Sequence, residues 1–149
     1  MSTKTGQCMC GAVSFTATNV PSEFGSCYCD MCKRWTGSRM MGVHVNSDDL
    51  VVSGQDAVST IKSSDWAERA FCNKCGSGLW YRVTEDPYAN GVSIAVGLLD
   101  DTSDMKLVTE YYVDRKTCAY DFPPERQQLT EAEVIEMFAP PADQGDSSK

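Results

Sequence analysis

Seven of the eight cysteines in this chain fall into three tight clusters, and their spacing constrains the fold more than any other feature. Cys8 and Cys10 form C-x-C. Cys27, Cys29 and Cys32 form C-x-C-x-x-C, and Cys72 and Cys75 form C-x-x-C ahead of Gly76. Cys118 stands apart. Disulfides account poorly for this pattern, because C-x-C pairs close small strained rings and 149 residues can build an apolar core without covalent staples. Inert cysteines pack as small hydrophobes, which leaves the clustering unexplained but remains open for Cys118. Thiolates one or two residues apart converge on one zinc ion at Zn–S distances near ~2.3 Å. The half-sites Cys8/Cys10 and Cys72/Cys75 together complete a closed, structural four-thiolate site. Cys27, Cys29 and Cys32 supply three ligands and leave the fourth position for water or substrate, the form of a catalytic zinc. Two zinc ions per chain are expected, one structural and one open, with Cys118 as a fourth ligand of the second site the alternative division.

The chain carries a net charge of −8, which repels phosphate backbones and argues against nucleic acid as a partner. Glu125, Glu131, Glu133, Glu136, Asp143 and Asp146 gather towards the C-terminus and read as a solvated acidic surface and tail. No stretch approaches the ~20 apolar residues of a membrane span, so no membrane partner is expected. The residues Met1 to Cys8 have no apolar core of a secretory signal. The expected location is therefore the cytoplasm, where thiols stay reduced.

Short runs with alternating apolar residues, separated by turn signals, make the class mainly β. They are Ala12–Thr18, Met41–Val45, Leu50–Val52, Leu79–Thr84, Val92–Val96 and Leu107–Val113. One helix is well signalled at the C-terminal end. Thr130 and Glu133 form a capping box, Val134, Ile135, Met137 and Phe138 supply an apolar face, and Pro140-Pro141 end it. These elements predict one zinc-binding domain over residues 1–139 and a flexible acidic tail over 140–149.

Three motifs in this order resemble the glutathione-dependent formaldehyde-activating enzyme family, which includes the centromere protein V domain. They are Gly6-Gln7-Cys8-Met9-Cys10-Gly11-Ala12-Val13, then Cys27 through Ser38 (CYCDMCKRWTGS), then Arg69-Ala70-Phe71-Cys72-Asn73-Lys74-Cys75-Gly76-Ser77-Gly78-Leu79. Gly97-Leu98-Leu99-Asp100-Asp101 matches a later, less specific motif, so the resemblance runs from about Gly6 to about Pro124. It implies a β-tent of folded antiparallel sheets with zinc knuckles, as in methionine sulfoxide reductase B. It also implies a carbon–sulfur lyase that reversibly unites glutathione and formaldehyde into S-hydroxymethylglutathione. By position, Cys8, Cys10, Cys72 and Cys75 match the structural zinc ligands and Cys27, Cys29 and Cys32 the catalytic ones. The chain departs from the family pattern at Tyr28, where histidine is frequent, at Glu110-Tyr111, which replaces a His-Ile-type pair, and at Cys118, where tryptophan is common.

The expected function is thus a zinc-dependent lyase acting on an adduct of glutathione, or of a related thiol, with formaldehyde or another small electrophile. Lys33 and Arg34 are candidates for attracting the two glutathione carboxylates, Trp35 for walling the pocket, and Gly37 and Ser38 for backbone and polar contacts. His44, the single histidine, sits between Val43 and Val45 and is expected to face away from the core. The rival readings are a non-enzymatic zinc-stabilised carrier or binding module, and a methionine sulfoxide reductase with Cys118 as nucleophile. An open coordination position at the second zinc separates the lyase from the carrier, and a reductase requires an exposed, low-pKa Cys118.

Overall fold

The computed structural model describes residues 1–139; the acidic tail expected over 140–149 lies outside the described residues. The chain forms two compact units that divide at Thr117/Cys118. The first unit carries two sheets. A three-stranded sheet pairs β1 (Ser2–Gln7), β2 (Ser14–Val20) and β5 (Leu50–Ser53). A seven-stranded sheet takes the order β10-β3-β4-β9-β8-β7-β6, from strands β3 (Glu23–Cys27), β4 (Met40–Asn46), β6 (Val58–Ser64), β7 (Ala67–Cys72), β8 (Gly78–Val83), β9 (Gly91–Ala95) and β10 (Lys106–Tyr111).

Among the described residues, seven of the eight strand pairs are antiparallel, as the family resemblance implies. The exception is the edge pair β10–β3, which runs parallel. β10 comes from far along the chain and lies beside β3, where its backbone continues the ladder: Tyr28 N donates to Tyr111 O at 3.0 Å.

The apolar alternation read from the sequence places Phe15, Ala17 and Val20 of β2 against Val43 and Val45 of β4 and Val92 and Ile94 of β9. Each fully buried large side chain contributes about 1.5–3 kcal/mol relative to exposure, so this seam between the sheets is a main source of stability. Gly6 marks a close approach within it. Gly6 bridges to Leu99, and a Cβ there would lie 2.5 Å from both Leu98 O and Phe15 Cζ. A second buried cluster gathers Val13, Ala57, Ala70 and Leu79 around Cys8 and Cys72.

Helix α1 (Asp30–Thr36) follows β3 directly, an element that the strand-like periodicity of the chain does not announce. In the second unit, the capping box at Thr130 opens α2 (Glu131–Phe138) as expected, with Glu133 N donating to Thr130 Oγ1 and Thr130 N donating to Glu133. None of the described helices is long and apolar enough to cross a membrane.

Candidate metal centres and substrate cavity

Two tight turns build the first centre. Cys8 and Cys10 sit in the turn after β1, held by Cys8 N donating to Val13 O at 2.9 Å. Cys72 ends β7, and Gly76 closes the next turn at φ 81°, its N–H donating to Cys72 O at 2.8 Å. That left-handed backbone favours glycine and folds Cys75 back towards Cys72.

The four sulfurs all lie within 4.8 Å of one another, with Cys8–Cys10 at 3.6 Å and Cys10–Cys72 at 3.9 Å. A tetrahedron with Zn–S bonds of ~2.3 Å has edges of about 3.8 Å, so the donor set fits zinc in both chemistry and spacing. Cys8 and Cys72 are fully buried. Val13 N donates to Cys8 Sγ at 3.3 Å, and the Ser77 hydroxyl lies 3.3 Å from Cys75 Sγ. Ser77 holds the Cys75 thiol down at about 5. The centre pins the β1–β2 turn of one sheet to the β7–β8 turn of the other.

The second centre straddles the end of β3 and the start of α1. Cys27 is the last residue of β3, Cys29 is the N-cap of α1, and Cys32 lies in its first turn with its N–H donating to Cys29 Sγ at 3.4 Å. Short N-cap geometry thus brings the C-x-x-C sulfurs together, and all three sulfurs converge within 4.8 Å. The spacing fits three corners of a metal tetrahedron. Among the described residues no further cysteine, histidine or carboxylate joins this group. Hydrogen bonding from Cys27 holds the Cys32 thiol down at about 5, helped by Arg69, while the same contact pushes Cys27 up.

The two centres differ in their access. The three-cysteine centre opens on a cavity of about 600 Å³, within the usual size range of small-molecule sites. Its walls are largely aromatic and thioether: Met31, Met40, Trp66, Tyr81, Tyr111 and Tyr112. Gly25, Gly42, Ser93, Ala67 and Ser64 leave room above the sheet. A neighbouring cavity of about 460 Å³ shares His44, Tyr81, Ser93 and Tyr111 with the first.

His44 is exposed and faces away from the core, as expected, and lines both cavities. On β4 it is four residues from Met40, the partner of Cys27. With the alternation of a strand, His44, Gly42 and Met40 share one face, the face on which the cavity lies.

Of the residues expected to contact substrate, Lys33, Arg34, Trp35, Gly37 and Ser38, none lines the cavity; all lie on α1 or just beyond it. Lys33 Nζ lies 3.2 Å from Asp30 and donates to Arg115 O at 3.2 Å. Arg115 pairs with Asp30 at 2.6 Å. Lys33, followed by Arg115, holds the Asp30 carboxyl below its usual range. Asp30 and Arg115 both border the cavity as an ion pair, and Lys33 reaches this pair from outside the lining. Arg34 and Ser38 are exposed. Gly37 caps α1 at φ 71°. Trp35 is half-buried, and its ring covers Arg69.

Sequence reasoning assigned no role to Arg69, although the residue stands inside the third motif. It is 3% exposed, sets its guanidinium carbon over the rings of Trp35 and Tyr81 at 4.9 and 5.0 Å, and reaches Cys32 Sγ through Nη2 at 3.5 Å. The signal available in the sequence was a basic residue in a strand otherwise bound for the core. Two departures from the family pattern also meet. Tyr28, fully buried, hydrogen-bonds to Glu110, and Arg39 Nη1 donates to the same phenol oxygen at 3.1 Å. Cys118 opens the second unit, where it is exposed and is not a core cysteine.

A profile of the family described as glutathione-dependent formaldehyde-activating enzyme matches residues 3–115. A Schizosaccharomyces pombe (strain 972) protein, described as an uncharacterized lyase, is 29% identical over 135 residues, covering 89% of this chain and 95% of its own length. A Halomonas elongata protein, described provisionally as a glutathione-dependent formaldehyde-activating enzyme, is 34% identical over 83 residues, covering 50% of this chain and 53% of its own length. Among solved structures, a Rhodobacter sphaeroides protein superposes with a TM-score of 0.58 at 20% identity, covering 71% of this chain and 98% of its own, a likeness of fold.

Proposed function

Because the chain belongs to the glutathione-dependent formaldehyde-activating enzyme family, we propose that it is a zinc-dependent carbon–sulfur lyase. Its reaction is the reversible union of glutathione, or a related thiol, with formaldehyde to give the S-hydroxymethyl adduct. The observation that carries this reading is the contrast between the two cysteine groups. One gathers four sulfurs in a turn-to-turn clasp, whereas the other gathers three beside a cavity sized for a small molecule. Cys8, Cys10, Cys72 and Cys75 would hold the structural ion. Cys27, Cys29 and Cys32 would hold a zinc ion with one position open, which would supply Lewis-acid chemistry for a thiol substrate.

The chain's own residues bind and orient the substrate. Arg115, with Lys33 and Arg34 behind it, attracts the carboxylates of glutathione to the rim. The rings of Trp66, Tyr81, Tyr111 and Tyr112 surround its body and limit water at the sulfur. Trp35 acts indirectly, by covering Arg69, and Gly37 and Ser38 shape the end of α1. Seven reduced thiolates suit the cytoplasm.

The test is calorimetric titration of glutathione into the zinc-loaded chain, paired with the rate of adduct formation above the spontaneous rate. Glutathione is expected to bind, and S-methylglutathione, a thioether that cannot form a thiolate, much more weakly. The rate is expected to exceed that of Cys32→Ser protein at equal concentration. Binding without acceleration would support a carrier instead, and no binding at millimolar glutathione would end this reading.

A further inference from the structure

We infer that Arg69 is a catalytic residue, donating hydrogen bonds to the aldehyde oxygen while the carbon–sulfur bond forms and breaks. The inference rests on the lyase reading above. A guanidinium buried to 3% exposure costs several kcal/mol unless it is paired, yet among the described residues Arg69 makes no ion pair with a carboxylate. Its guanidinium carbon lies over two rings, Trp35 at 4.9 Å and Tyr81 at 5.0 Å. Guanidinium N–H bonds lie in its plane and are its polar groups, whereas the rings offer only their π faces.

Nη2 points to Cys32 Sγ at 3.5 Å, and Nη1 has the weak thioether acceptor of Met40 at 3.9 Å. Nε is buried and has no partner. An orphaned buried donor on a charged group calls for an explanation, and Arg69 lines the cavity beside the three sulfurs. Two more buried hydroxyls without partners, Ser26 Oγ and Ser64 Oγ, belong to residues of the same lining.

The reaction develops charge on the aldehyde oxygen. The electron pair of the thiol sulfur forms the new S–C bond, and the C=O π pair moves onto oxygen. The thiol's proton passes to solvent, and a proton returns from water to that oxygen to give the hydroxymethyl group. The reverse reaction retraces these steps with no oxidant or reductant. The oxygen sits two bonds from the substrate sulfur, so an adduct whose sulfur rests on the three-cysteine face carries it alongside the guanidinium next to Cys32. A fixed cationic donor at that position stabilises the oxyanion more than the neutral carbonyl. At the four-cysteine centre the sulfurs instead meet uncharged groups such as the backbone N–H of Val13 and the Ser77 hydroxyl.

The experiment uses the zinc-loaded full chain and follows exchange between ¹³C-formaldehyde, glutathione and their adduct by magnetisation-transfer NMR. Arg69→Met is expected to lower the catalysed exchange about 100-fold, the loss typical of one oxyanion donor. Its zinc content and glutathione affinity are expected to stay within about threefold. Arg69→Lys is expected to fall between the two, and guanidinium ion added to Arg69→Ala to restore part of the rate. Exchange within threefold of the native chain, or a loss that merely follows zinc content, overturns the assignment.

A second measurement needs no variant. S-formylglutathione, whose carbonyl oxygen lies two bonds from sulfur, is expected to bind at least tenfold more tightly than S-ethylglutathione, which lacks it. Equal affinity overturns the assignment even where the variants fail to fold. If glutathione itself fails to bind, the lyase reading falls with it; if glutathione binds and these differences are missing, the role of Arg69 falls alone.

Discussion

Replacing Cys72 with serine removes one of four sulfurs from the clasp between the two sheets, and its effect can be set against that of Cys29→Ser. A closed four-thiolate zinc site supplies on the order of 10 kcal/mol of folding free energy, so one ligand in four corresponds to about 2.5 kcal/mol. Cys72 is fully buried in an apolar cluster with Val13, Ala70 and Leu79. An unsatisfied serine hydroxyl there adds roughly 1–3 kcal/mol. The total is about 4 kcal/mol. At about 2–4 °C per kcal/mol for a chain near this size, the melting temperature should fall by roughly 8–16 °C. Cys29 is half-buried and caps α1 by accepting from Cys32 N at 3.4 Å. Serine is a preferred N-cap, so Cys29→Ser keeps that hydrogen bond and should cost no more than about 1 kcal/mol. Thermal melts of both variants, with zinc counted by native mass spectrometry, test the contrast. Equal drops in melting temperature would refute the division into a structural clasp and an open site.

Gly6→Ala places a Cβ 2.5 Å from Leu98 O and Phe15 Cζ. It should lower the urea midpoint by the equivalent of about 1–3 kcal/mol, the usual cost of overpacking, while the metal content stays that of the native chain. A third perturbation is pH. Tyr28, followed by Lys116, holds the folded pKa of Glu110 below its ordinary value. A depressed carboxyl contributes stability that is fully present above its unfolded pKa and is lost as pH falls through the folded one. Urea melts from pH 7 down to pH 3 should therefore show a shallower decline for Glu110→Gln than for the native chain. Parallel declines would remove Glu110 from the account.

The three cysteine clusters were legible from the sequence because short-range spacing governs each of them. C-x-C and C-x-x-C turns bring their sulfurs close whatever the rest of the chain does, and Gly76 supplies the left-handed turn that the second kind needs. The alternating strands around Phe15, Val43 and Val92 were legible for a similar reason: the period of two survives in any sheet that covers one face. The capping box at Thr130 is likewise a local pattern, present in full in the structure.

Local pattern did not reveal α1. Its seven residues carry a single buried side chain, Cys32, so no apolar period exists to read, and the helix is defined by the Cys29 cap and Gly37. Nor did it reveal the parallel pair β10–β3, because nothing in residues 106–111 encodes which distant edge they join. Arg69 is the clearest case. Its one-dimensional setting is a basic residue in a strand. Only the folded sheet, which puts Tyr81 of β8 opposite it and α1 above it, stacks Trp35 on its guanidinium and brings Cys32 to its tip. The sequence alone determined which atoms can hold metal, since covalent spacing limits where they can go. The tertiary structure decided which cation and which walls surround the open centre, because those contacts join residues tens of positions apart.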